Sequence, residues 1–197
     1  MRLGLSNRKH LPVLKTDLCE EKSFFLWEYK WVQRIERTGL KLTPWGFAAL
    51  KELYEFGEHY LPPFPLNGLT VLDVGACCGE TAWFFLKHGA KKVICIEPNP
   101  EQAKLIRENQ KNKNLNLEVI EDIFRPKEHL SIPHDFIKCD IEGYEMELLP
   151  YAQTLKPCVV EAHTGWIKEQ FEKHGFRPIM VSAPNIIVIN CLMVNWK

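Results

Sequence analysis

Apolar and polar positions change rhythm near Gly68. Before it, Phe24, Trp27, Trp31 and Ile35 recur at helical spacing and form one apolar stripe, which predicts a helix over residues 20–37. A second helix is expected over 44–60, ended by Pro62, Pro63 and Pro65. Residues 1–19 scatter leucines and prolines among basic residues without a period, and predict an arm. Beyond Gly68, short apolar runs at 70–74, 92–97, 117–121, 135–141 and 158–163 alternate with helical segments near 80–88, 99–113, 145–154 and 165–174. Two further runs, 178–183 and 185–194, close the chain.

Strand, helix, strand, helix argues for a parallel sheet covered on both faces. Only the short turn around Pro184 and Asn185 separates the last two strands, too little chain for a crossover helix, so the final strand must run antiparallel to its neighbour. The expected fold is α/β and doubly wound (Rossmann-like), with a seven-stranded, mostly parallel sheet and an antiparallel last strand. Its expected division is an N-terminal helical extension or cap over 1–66 and one ligand-binding domain over 67–197.

Charge adds little to this picture. Lysine plus arginine equals aspartate plus glutamate, 25 each, so the chain advertises no broad attraction for nucleic acid. The seven cysteines show no C-x-x-C spacing and sit mostly in apolar runs, where they read as small buried hydrophobes of a reducing compartment. No apolar run approaches a membrane span and no signal-peptide order opens the chain, which leaves a cytoplasmic protein as the expectation.

The strongest local signal is VLDVGACCGET at 71–81, an apolar strand that runs into Asp73, then Gly75 and Gly79, then a helix start. A dinucleotide turn, G-x-G-x-x-G, places its glycines so that a pyrophosphate can approach the helix N-terminus. Here two of those glycines are missing and Glu80 stands where an anion would sit. A sulfonium ligand with one ammonium, one carboxylate and no phosphate reverses that charge problem. The turn therefore predicts S-adenosyl-L-methionine, with Gly75, Ala76 and Gly79 close to its methionyl portion and Asp73 holding the ammonium directly or through water.

VICIEPNP at 93–100 ends the next strand on Glu97 and Pro98, and Asn99–Pro100 opens a helix as N-cap and first residue. A carboxylate at that strand end can accept both ribose hydroxyls of an adenosine. After the third strand, Asp122 or its neighbour Glu121 could accept from the adenine amine, with Ile123 and Phe124 against the ring.

The fourth strand continues into DFIKCDIEGYEMELL at 135–149, and the fifth is CVVEAH at 158–163. Together with DVGACCGET and IEPNP, these segments resemble the FkbM-type methyltransferases. Their pattern reads close to D-[VI]-G-A-x-x-G, then E-P-x-P, then D-x-[IV]-K-x-D-[IV]-E-G-x-E-x-x-[VL]-L, then an [IV]-E-x-H strand. The match covers about 69–178 in the right order. It implies a class I methyltransferase fold, S-adenosyl-L-methionine as methyl donor, and transfer to a hydroxyl of a sugar or other small molecule. Two departures stand out, a connection of about a dozen residues before Asp135 and a short C-terminal part after His174.

Methyl transfer needs in-line approach of the acceptor, and a hydroxyl acceptor also benefits from a base. Asp140, Glu142, Glu161 and His163 lie at the ends of strands four and five, beside the place where open α/β sheets bind ligands. Glu161 and His163 are two apart on a strand and share a face, as a general base and its orienting partner would. A divalent metal binding a diol acceptor is the other use of such a set, but too few carboxylates can be placed to assign a metal site. Glu145 is expected only to favour the helix start after Gly143.

The expected partner is a small-molecule or glycan acceptor, without membrane attachment. A homodimer through the N-terminal helices is possible on the aromatic stripe. Two other readings stay open: an RNA methyltransferase, disfavoured by the neutral charge and the lack of an N-P-P-Y-type tetrapeptide, and a non-catalytic nucleoside-binding subunit.

Overall fold

The computed structural model describes residues 32–182 and 188–196. The chain forms two compact units, residues 1–39 and 40–197. In the first, residues 32–36 are helical. The remainder of the predicted 20–37 helix, with Phe24, Trp27 and Trp31, lies outside the described residues, as does the predicted arm.

The second unit opens with α1 (Pro44–Phe56), where Thr43 caps the N-terminus by accepting from Gly46 N and Pro44 occupies a position that needs no N–H. A 3-10 turn, Gly57–Tyr60, completes the predicted 44–60 helix. The alternating elements follow in the predicted order: β1 (Thr70–Val74), α2 (Glu80–Lys87), β2 (Lys92–Ile96), α3 (Pro100–Lys113), β3 (Leu117–Ile120), the single turn α4 (Pro126–His129), β4 (Phe136–Cys139), β5 (Cys158–Thr164), α5 (Gly165–Lys173), β6 (Arg177–Ser182) and β7 (Val188–Asn195). Between β4 and β5, the α-helix expected at 145–154 is instead a 3-10 helix, Glu145–Tyr151. Pro150 lies inside it and supplies no N–H for an α-helical bond.

The sheet order is β3-β2-β1-β4-β5-β7-β6. β1, β2, β3, β4 and β5 pair in parallel, and β7 runs antiparallel to both β5 and β6. The chain reverses direction across the sheet between β1 and β4, so crossovers leave on opposite sides and a crevice opens at their carboxyl ends.

One core holds this arrangement. Leu72, Val74, Ile94, Ile96, Ile137, Cys139 and Val160 pack with Leu148, Phe171 and Met193. Such continuous apolar runs belong to strands covered on both faces. Asp73 in β1, 0% exposed, and Lys138 in β4, 2% exposed, are charged residues inside such runs. Of the cysteines expected to be buried hydrophobes, Cys78, Cys95, Cys139 and Cys158 are buried, whereas Cys77 in the turn after β1 is half-exposed, and all five are free thiols. No helix among the described residues is long and apolar enough to cross a membrane.

Candidate functional site

The turn after β1 is built for close approach, by its own chain first. Gly75 has φ 76, and a Cβ there would lie 1.8 Å from the Asp140 carbonyl oxygen. Only glycine lets the β1 and β4 ends meet this closely. The Gly75 and Ala76 N–H groups both donate to Ile96 O, at 3.0 and 3.2 Å, and Gly79, at φ 83, caps α2. Ala76 is fully buried.

Asp73 does not face a ligand. It is 0% exposed, accepts from Thr81 Oγ1 at 2.5 Å, and pairs with the Lys138 ammonium at 3.4 Å. Lys138 also donates to Gly75 O at 2.8 Å. Burial opposes the charge on Lys138, but Asp73 and Asp140 outweigh it and hold the ammonium well above the ordinary lysine range. Asp73, expected to hold the ammonium of the cofactor, is paired here with the protein's own lysine. Lys138 is the functional residue that sequence reasoning missed, although a lysine amid FIKC in a doubly covered strand is the kind of buried charge that requires a partner.

Glu80 is also sealed, 1% exposed, with Oε2 accepting from Cys78 N at 3.0 Å. Burial pushes its carboxyl up to about 8. It occupies the Cys78 backbone N–H of this turn. Glu97 behaves similarly. It is 5% exposed, and its two oxygens accept separately from Cys77 N at 2.9 Å and Asn99 N at 2.8 Å. The carboxylate predicted to anchor a ribose thus ties the turn after β1 to the start of α3.

A cavity of about 490 Å³ opens beside these elements, within the range of small-molecule sites. Its walls combine Val74, Gly75, Ile96 and Pro98 with Ile123, Phe124, Ile141, Glu142, Gly143 and Tyr144. Of the residues predicted to hold the cofactor, Gly75, Pro98 and Ile123 line it, whereas Asp73, Ala76, Gly79, Glu97, Asp122 and Asp140 do not. Asp122 is instead paired with Arg125, and Glu121 with Arg107 at 2.7 Å. Both carboxylates, one of which is expected to meet the adenine amine, are thus paired with surface guanidinium groups.

At the ends of β4 and β5 the structure brings together Asp140, Glu142 and His163. His163 Nδ1 donates to Glu145 Oε1 at 2.8 Å, while Nε2 lies 3.4 Å from Asp140 and 3.5 Å from Glu142. Glu145 is fully buried and is further fixed by the Ile141 and Gly143 N–H groups. Burial opposes a charge on His163, yet the bond to Glu145 and the nearby Asp140 and Glu142 carboxylates push it up to about 9. Burial works likewise against the Glu145 carboxylate, but the His163 bond and charge together with backbone N–H groups outweigh it and lower its pKa.

The orienting partner of His163 is thus Glu145, not Glu161. Glu161 accepts from Tyr60 Oη at 2.9 Å, and burial, with Asp140 and Glu52 nearby, pushes it up to about 7. The pairing of β5 with β7 shifts register between Ala162 and Thr164, around His163.

No family model matches the sequence, and no curated protein matches it significantly. Solved structures do resemble it. A ribosomal protein L11 methylase from Lactobacillus delbrueckii subsp. bulgaricus is 16% identical, with TM-score 0.59 over 81% of this chain and 83% of that one. The precorrin-6y C5,15-methyltransferase from Geobacter metallireducens is 20% identical, with TM-score 0.53 over 66% and 82%. The C-terminal domain of precorrin-6Y C5,15-methyltransferase from Rhodobacter capsulatus is 14% identical, with TM-score 0.55 over 71% and 85%. The fold is that of the class I methyltransferases.

Proposed function

We propose that this protein is an S-adenosyl-L-methionine-dependent methyltransferase of the FkbM type that modifies a hydroxyl oxygen of a small molecule or glycan. The observation that carries this reading is the double position of Glu142, which lines the cavity and also belongs to the carboxylate–imidazole cluster. A nucleoside pocket and a proton-accepting cluster share one wall.

The residues present fit the cofactor. Ile96, Pro98, Ile123 and Phe124 give apolar walls for an adenine, and the Glu142 carboxylate suits a cationic ligand. When bound, S-adenosyl-L-methionine supplies an electrophilic methyl on its sulfonium. Lys138, Asp73 and Glu97 position the turn, Glu145 orients His163, and the cluster of Asp140, Glu142 and His163 meets the acceptor hydroxyl and receives its proton as transfer proceeds.

Calorimetric titration with the donor and with S-adenosylhomocysteine tests the pocket, and labelled-methyl transfer into fractionated extract tests the acceptor. Binding of both ligands is expected, weakened by Glu97→Ala through the turn, with label entering metabolite or glycan pools. Failure to bind either ligand, with a dinucleotide bound instead, would overturn the reading, and label confined to RNA would replace the acceptor class.

A further inference from the structure

The cluster at the ends of β4 and β5 has more negative charge than its own chain neutralises. Asp140, Glu142 and Glu145 surround one imidazole. The nearest ammonium, Lys138, is 3.7 Å from Asp140 but is already committed to Asp73 and to Gly75 O. Glu145, fully buried, leaves Oε2 without a hydrogen-bond partner among the described residues. A second group of acids shows what neutralisation looks like in this protein. Asp122, Glu128 and His129 also lie close together, but Arg125 pairs with both carboxylates and so provides their cation.

We propose that Asp140, Glu142 and His163 form a site for a divalent cation, in which Glu145 holds the histidine for coordination. Three observations converge. The distances from Nε2 to the two carboxylates, 3.4 and 3.5 Å, are too long for hydrogen bonds. They match instead the roughly 3.1–3.5 Å that separates neighbouring ligands held about 2.2–2.4 Å from one ion. One ligand atom from each residue falls within 4.8 Å of the others. Finally, the Nδ1–H bond to a buried carboxylate orients the ring with Nε2 toward Asp140 and Glu142, which is how metal-ligating histidines are commonly backed.

Two carboxylates with one imidazole suit a first-row divalent ion of mixed oxygen and nitrogen preference, Mn²⁺ before Mg²⁺. Glu142 reaches the site from a left-handed residue, φ 55, and its side chain is 80% exposed, so the open side faces the acceptor crevice and solvent. The cation's use in hydroxyl activation rests on the methyltransferase reading, whereas the site itself does not.

The test is titration of the full-length, cofactor-free protein with Mn²⁺, followed by the electron paramagnetic resonance signal of the free ion. One Mn²⁺ per chain is expected. Asp140→Asn and Glu142→Gln should each weaken it tenfold or more, and Glu128→Gln, in the arginine-neutralised cluster, should leave it unchanged. Because the Glu142 side chain is largely exposed, its replacement tests coordination without a packing change. No stoichiometric Mn²⁺, or equal binding by all the variants, overturns the site. Donor binding without Mn²⁺ binding would sink the cation site alone, and Mn²⁺ binding without donor binding would sink the methyltransferase reading alone.

Discussion

The carboxyl edge of the sheet carries acids at two ends that are treated in opposite ways. At the β1–β2 end, Asp73, Glu80 and Glu97 are buried, and each is held by the protein itself: Asp73 by the Thr81 hydroxyl and the Lys138 ion pair, Glu80 by Cys78 N, and Glu97 by Cys77 N and Asn99 N. At the β4–β5 end, the side chains of Asp140 and Glu142 make no hydrogen bond among the described residues and stand around a histidine that is itself fixed. Acids of the first kind hold the turn together, and those of the second kind keep their oxygens free of hydrogen bonds among the described residues, with Glu142 on the cavity wall.

The largest effect should come from unbalancing the first end. Lys138→Met leaves Asp73 buried without its cation, and breaking a buried pair from one side costs on the order of 3–5 kcal/mol. Urea unfolding would measure this. A loss under about 1 kcal/mol would mean that Asp73 reaches water, and the contrast between the two ends would fail.

A pH-dependent effect belongs to Glu80. Its folded carboxyl is raised to about 8 from an ordinary 4.5. The folded state therefore holds a proton that the unfolded chain releases, and this contribution is fully present below about pH 4.5 and lost as pH rises through about 8. Glu80→Gln keeps a carbonyl to accept from Cys78 N and removes the titration. The variant should match the parent near pH 4.5 and exceed it by up to about 4 kcal/mol at pH 8, since each tenfold difference in proton affinity between the folded and unfolded chain contributes at most about 1.4 kcal/mol. Parallel stability curves from pH 4.5 to 8.5 would show that Glu80 is not sealed.

The strand and helix order was legible because doubly covered strands write continuous apolar runs and because Pro44, Asn99–Pro100 and Gly79 mark helix starts locally. The antiparallel last strand followed from turn length alone. The positions of Asp140, Glu142 and His163 were legible too, since strand ends in an open sheet converge. Partner choice was not. Lys138 answers Asp73 across the β1–β4 pairing, where they stand in register, and Glu145 answers His163 from the helix after β4. Such pairings depend on side-chain direction between elements distant in sequence. Spacing along one strand pointed to Glu161 instead, which accepts from Tyr60 Oη.

The smallest effect sharpens the same contrast from outside it. Asp122 follows β3 and has the strand-end placement of a ligand-binding acid, yet it is only half-buried, pairs with Arg125, and accepts from Ile123 N. The Arg125 bond holds its carboxyl below the ordinary range. Asp122→Asn can keep the bond from Ile123 N and lose only the ion pair. Exposed pairs of this kind contribute little, so donor affinity measured by calorimetry should stay within about twofold of the parent. Ile123 and Phe124, which line the cavity, are the residues of this segment that a ligand would meet. A tenfold loss of affinity in Asp122→Asn would return that carboxylate to the pocket and make the β3 end a third kind of site, with its guanidinium partner displaced when the ligand binds.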